Sequence, residues 1–143
     1  FEKFGDITEL GAFEDLVIAY RSALLDGLVY INQPLVQYRL GVGISESGKH
    51  DTVKHNILDK NKQRIREAKI MIPVLKQRII DTKKMNKDSD IIPMMQNKLN
   101  QYEIEFDFLN GNKDFITLLN TAIQSSTTMY FLKLWFKRLR RKI

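Results

Sequence analysis

The chain contains no cysteine, which excludes both a disulfide framework and a thiolate metal site and is compatible with a reducing compartment. Its two histidines, His50 and His55, cannot by themselves complete the four-ligand shell of a structural zinc site. No apolar run approaches the roughly 20 residues that a membrane-spanning helix requires. Prolines number three, Pro34, Pro73 and Pro93, so long helical stretches are free to form between them. Acidic residues are missing altogether from the last fourteen positions, 130–143, which carry six basic ones.

What is present is one domain's worth of chain, 143 residues with 43% hydrophobic content, enough to bury a core. The net charge of +6 is segmented along it. Residues 1–48 carry 3 basic and 7 acidic side chains, and residues 49–87 carry 12 and 4. Residues 88–129 then carry 2 and 6, and residues 130–143 carry 6 and 0. The basic character therefore belongs to two segments and not to a uniform surface. In the first of them Asp51, Asp59, Glu67 and Asp81 interrupt the cations and no recognition motif is present, so it reads as a solvated helix face, not as a nucleic-acid surface.

Residues 11–39 are the stretch around which the rest is organised. Glu14 and Asp15 open a run in which Phe13, Leu16, Val17, Tyr20, Ala23 and Leu24 recur at the spacing of one helix face. Gly27 follows as a helix stop, residues 28–31 read as a short strand, Pro34 breaks it, and residues 35–39 read as a second strand. A Gly-rich turn with a serine, residues 41–45, closes the series. This order, acidic pair, helix, Gly, strand, Pro-Leu-Val, Tyr-Arg, resembles the acceptor-side end of the catalytic domain in bacterial family-2 inverting glycosyltransferases. The resemblance covers residues 4–47, about a third of the chain, and rests on the composite and not on any single piece.

The resemblance implies that Asp15 is the general base that takes the proton of an acceptor hydroxyl as it attacks the anomeric carbon of a nucleotide-activated sugar. Acidic residues also favour helix starts because they complement the dipole, which is the plain structural alternative. Glu14 lies about 100° round the helix from Asp15 and is either a supporting acceptor contact or a solvated carboxylate. Tyr38 and Arg39 match the family's Tyr-Arg, with Arg39 either contacting substrate or pairing with Asp15 or Glu14. Many relatives carry a histidine where Gly41 stands here, so no metal ligand is assigned. Gly41, Gly43 and Ser45 form an ordinary turn or a phosphate-closing loop. His50 and His55 read as solvated.

The parallel strands of a nucleotide-binding half are not read in the sequence, its one Asp-x-Asp string, Asp88-Ser89-Asp90, falls in the polar linker before a helix, and the chain starts on Phe1 with nothing that reads as a signal peptide. The expectation is an inactive piece of a longer transferase, with Mg or Mn in the whole parent but no cofactor in this part. The implied partners are a nucleotide-sugar donor and a glycan or lipid-linked acceptor, at a cytoplasmic location on the inner face of the bacterial membrane. The competing reading is a non-enzymatic helical interaction module in which Glu14 and Asp15 merely begin a helix.

After residue 47 the pattern is helical. Ile57, Leu58, Ile65, Ala68, Met71, Ile72, Leu75 and Ile79 keep a helical period over residues 51–84, and Pro73 predicts a kink, or a break into two pieces. Ser89 or Asp90 offers an N-cap for a helix with Pro93 in its first turn that runs to Leu109 and stops at Asn110-Gly111-Asn112. A shorter helix follows through Phe115, Leu118, Leu119 and Ile123, and Ser125, Ser126 and Thr127 offer caps for a last one over residues 128–142. On that helix Leu132, Trp135, Phe136, Leu139 and Ile143 share a face, while Lys133, Lys137, Arg138, Arg140 and Arg141 supply cations. This is the pattern of a helix lying on an anionic membrane surface, unless the same face packs onto the preceding helices.

The resulting expectation is a mainly α chain with a short β element: the remnant of a GT-A α/β catalytic domain over residues 1–48, a helical extension over 49–129, and a basic amphipathic helix over 130–143.

Overall fold

A computed structural model describes residues 2–29, 57–85 and 90–140. Among these there are five helices and no strand: α1 (Glu14–Leu24), α2 (Ile57–Lys84), α3 (Ile91–Asn110), α4 (Phe115–Gln124) and α5 (Thr128–Leu139). The mainly α expectation holds. Leu28 and Val29, expected to start a strand, have no regular structure and are exposed; the remaining positions of both expected strands lie outside the described residues.

The break expected at Pro73 does not occur, because α2 continues through it. An interior proline costs a helix about 3 kcal/mol, and packing on both sides of it offsets that cost. Ala68 and Val74 are fully buried on either side of the ring, and Leu75 and Ile79 join Met95 and Leu99 of α3 in a core cluster that Met71, Ile72 and Tyr20 border. The two helices are antiparallel: Arg64 pairs with Glu105 and Glu67 accepts from the Tyr102 hydroxyl at 2.9 Å, whereas Leu75 and Ile79, later on α2, pack on Met95 and Leu99, earlier on α3; Lys76 also meets Glu103 at 3.2 Å. Asp81, which reads from sequence as one acid among many on a solvated face, is wholly buried.

A second cluster forms on the far half of α3. Ile104 and Phe108 pack with Leu118 and Ala122 of α4 and with Phe131 and Leu134 of α5. The Phe108 and Phe131 rings meet edge to face at 5.9 Å, a geometry that suits the ring quadrupoles.

Helix ends follow local chemistry. Gly111 takes a left-handed conformation (φ 68) and the Asn112 amide reaches back to the Asp107 carbonyl, so the expected stop after α3 is a glycine-capped end. Asp114 caps α4 by accepting from the Thr117 amide at 3.1 Å and hydroxyl at 2.5 Å, and these two bonds hold its carboxyl below the usual range. Asp90 stands at the expected N-cap of α3 but makes no side-chain capping bond. At the end of α1 the left-handed residue is Asp26 (φ 56), one position before the glycine that sequence pointed to, and the Gly27 amide closes the turn on the Ser22 carbonyl at 2.8 Å.

The junction of α2, α3 and α5 is polar. Glu105, 5% exposed, is held by Arg64 and by the hydroxyl of Tyr130. Burial first, and then the bond to Glu67, push Tyr102 up to about 12; burial and the bond to Glu105 also push Tyr130 upward. A tyrosine whose folded pKa is raised contributes stability that is intact below its unfolded value near 10 and is lost as pH climbs to the folded value. Stability is therefore expected to fall between pH 10 and about 12. In a titration followed at tyrosinate absorbance, a late-ionising group should vanish in Tyr102→Phe; if all five tyrosines ionised together near 10, the bond to Glu67 would not persist in solution.

Candidate functional site

α1 begins without a side-chain cap. Its N-cap is Phe13, and Glu14 and Asp15 occupy the first turn, where negative charge complements the unpaired amides. Both carboxylates are exposed. Asp15 Oδ1 accepts from the Leu16 amide at 2.9 Å, and residues 11–15 line one shallow open hollow of about 490 Å³. Asp15 is thus available to a molecule arriving from solvent, on a helix whose position is fixed from beneath.

That fixing comes from residues the sequence did not mark. Arg21, on the buried face of α1, meets Asp81 of α2 through Nε to Oδ2 at 2.8 Å and through its second terminal nitrogen to Oδ1 at 3.1 Å. Arg21 also donates to the Gly5 carbonyl at 2.9 Å, with its guanidinium 5.2 Å from the Phe4 ring centre. Gln77 donates to Asp81 at 3.0 Å and accepts from the amides of Thr8 and Glu9 at 2.9 and 3.1 Å. One turn along, Arg78 donates to the Leu16 carbonyl at 3.1 Å and stacks on Tyr20, whose hydroxyl pairs with Thr82 at 2.7 Å. The acidic turn is therefore seated on α2 by a buried bidentate ion pair and its hydrogen-bonded surround. The helical spacing placed Arg21 near the apolar face of α1, but its partner lies 60 residues away, beyond the reach of any periodicity.

Tyr38, Arg39, Gly41, Ser45, His50, His55 and Arg141 lie outside the described residues, so no geometry joins them to Asp15. Among the described residues no group of three or more His, Asp or Glu side chains is placed to hold a metal ion, and no helix is long and apolar enough to cross a membrane.

The C-terminal group divides. Lys133, Phe136, Lys137 and Arg140 are exposed. Trp135 turns inward, its ring 5.0 Å from Phe115 and 5.2 Å from Phe136. Arg138 donates to the Phe108 carbonyl at 3.4 Å and lies over that ring at 5.0 Å. Set against protein-family models, curated proteins and solved structures, the chain matches none of them.

Proposed function

We propose that the chain is the acceptor-side end of an inverting, GT-A-type family-2 glycosyltransferase together with a helical extension, and that Asp15 is its general base. The observation that carries the reading is the second apolar side of the acidic helix. α1 buries Val17, Arg21 and Leu24 on α2, yet Ile18 and, just past the helix end, Leu25, about 90° round from that face, are each 45% exposed, and the flanking Leu10 and Val29 are 96% and 85% exposed. Such a concentration of bare apolar side chains within the segment that carries the family pattern suits a helix that also packs against the sheet of a nucleotide-binding half. Single exposed apolar residues need no explanation; six in residues 10–29, counting Phe13 and Leu28, do.

In the proposed reaction an acceptor hydroxyl of a glycan or lipid-linked sugar gives its proton to an Asp15 carboxylate oxygen. The hydroxyl oxygen bonds the anomeric carbon from the face opposite the leaving group, and the bond from that carbon to phosphate breaks to release the nucleoside diphosphate. Tyr38 and Arg39 are assigned to substrate contact, and Glu14 to support of the acceptor. The Mg or Mn implied by the resemblance would be held by the Asp-x-Asp of the nucleotide-binding half.

The test is nucleoside diphosphate release by the full-length parent, incubated with a panel of nucleotide sugars and a hydroxyl acceptor. Donor-dependent release is expected. A folded parent that neither binds nor turns over any nucleotide sugar would sink the assignment in favour of a helical interaction module, the reading that the purely local bond from the Leu16 amide to Asp15 favours.

A further inference from the structure

α4 and α5 form an antiparallel hairpin, since Phe115 at the start of α4 touches both Phe131 and Trp135 of α5. Each helix turns one side to α3: Leu118 and Ala122 on α4, Phe131 and Leu134 on α5. At 100° per residue, Ile116 and Ile123 fall together on α4, about 130° round from the mean direction of Leu118 and Ala122, and Met129 and Phe136 fall together on α5, about 180° from that of Phe131 and Leu134. Both stripes therefore point away from α3. All four are more than half exposed, and Leu139 adds to the edge at 39%. The Trp135 ring, between Phe115 and Phe136, bridges the two stripes.

Within α4 and α5 the charge has one sign, and the exposed Asp114 carboxylate caps the start of α4. Lys133, Lys137 and Arg140 border this face on α5, residues 130–143 hold six basic side chains and no acid, and α4 carries no charged residue at all. An apolar stripe bordered by cations is complementary to a surface with acyl chains beneath anionic headgroups.

We propose that the α4–α5 hairpin docks this face on the surface of an anionic phospholipid membrane, with Ile116, Ile123, Met129 and Phe136 entering the headgroup boundary while Lys133, Lys137 and Arg140 meet lipid phosphates. The face differs from the one that α5 alone predicts, because Trp135 is turned toward the protein, Arg138, though exposed, reaches back to Phe108, and α4 supplies half of the apolar surface. This inference is independent of the transferase reading, and its test needs no activity.

The whole chain is floated with vesicles of phosphatidylcholine containing 30% phosphatidylglycerol and with vesicles of phosphatidylcholine alone. Binding is expected to the first and to be released by salt, as exposed charges are screened. Each cation near such a surface contributes on the order of fivefold in partitioning, so Lys133→Gln with Lys137→Gln should weaken binding about 25-fold. Ile116→Ser with Phe136→Ser, both at exposed positions, should weaken it by about tenfold or more with the circular dichroism spectrum unchanged. The control, Lys62→Gln with Lys69→Gln on α2, removes the same charge from exposed sites elsewhere and should leave binding within about twofold. Equal binding to neutral vesicles, an equal loss in the control, or a stable dimer that Ile116→Ser with Phe136→Ser dissolves would each overturn the proposal, the last by assigning the face to a second copy of the chain.

Discussion

Replacing Asp81 with Leu is expected to destabilise the chain by about 3–5 kcal/mol, the range for removing one partner of a buried ion pair. The magnitude follows from what remains. Asp81 is wholly buried and Arg21 is 5% exposed, so the substitution takes a bidentate carboxylate from a guanidinium held away from water. The carbonyls of Gly5 and Asp6, at 2.9 and 3.3 Å from it, provide hydrogen bonds but no charge. The double replacement, Arg21→Met with Asp81→Leu, should recover much of the loss, because exchanging both partners for apolar residues of similar volume is often close to neutral. Urea unfolding of the two single variants and the double one completes a cycle. A cost below about 1 kcal/mol for Asp81→Leu would mean that the pair is solvated and that α1 is not seated by it.

On the proposed transferase reading, Asp15→Asn is expected to lower sugar transfer about 10²-fold or more, the usual contribution of a positioned base. The amide is nearly isosteric, and its oxygen can keep the 2.9 Å bond from the Leu16 amide. Since Asp15 is exposed, the change in stability should stay within about 0.5 kcal/mol. Donor binding should survive, because the role assigned to Asp15 concerns the acceptor proton alone. Transfer at close to the parental rate by the Asn variant would falsify the base assignment while leaving the helix-start role of the acidic pair intact.

Four of the five helices were legible from sequence because their signals are local. Apolar spacing marked α1, an N-cap at Ser89 or Asp90 marked the start of α3, and Asn110-Gly111-Asn112 and Ser125-Ser126-Thr127 marked the turns on either side of α4. Failure came wherever a distant partner decides. Pro73 is a breaker by its own chemistry, yet Ala68, Val74 and Leu75, buried around it, hold α2 continuous. Asp81 looks like a solvated acid until Arg21 is brought to it from another helix. α5 carries apolar residues on two sides, and only the presence of Phe108 and Phe115 determines that Phe131, Leu134 and Trp135 turn inward while Met129 and Phe136 do not. As to the candidate site, the acidic turn was readable, the buried pair beneath it was not, and Tyr38 and Arg39 lie outside the described residues.

The separation of the core into two clusters has a consequence for how the chain comes apart. Among the described residues α1 packs mainly on α2, with the Tyr20 hydroxyl reaching Met95 of α3, and α4 and α5 pack mainly on α3, with α2 and α5 meeting at Glu105. α3 is thus the shared wall of two cooperative units, with Leu99 in one and Ile104 in the other. Excursions that unravel the terminal hairpin leave the seat of the acidic turn closed, and amides in the two units should exchange with solvent by separate openings of different free energy. The bridge between them is Glu105, where Arg64 of α2 and Tyr130 of α5 hold one carboxylate. A loss of that carboxylate would uncouple the two openings before it abolished either unit.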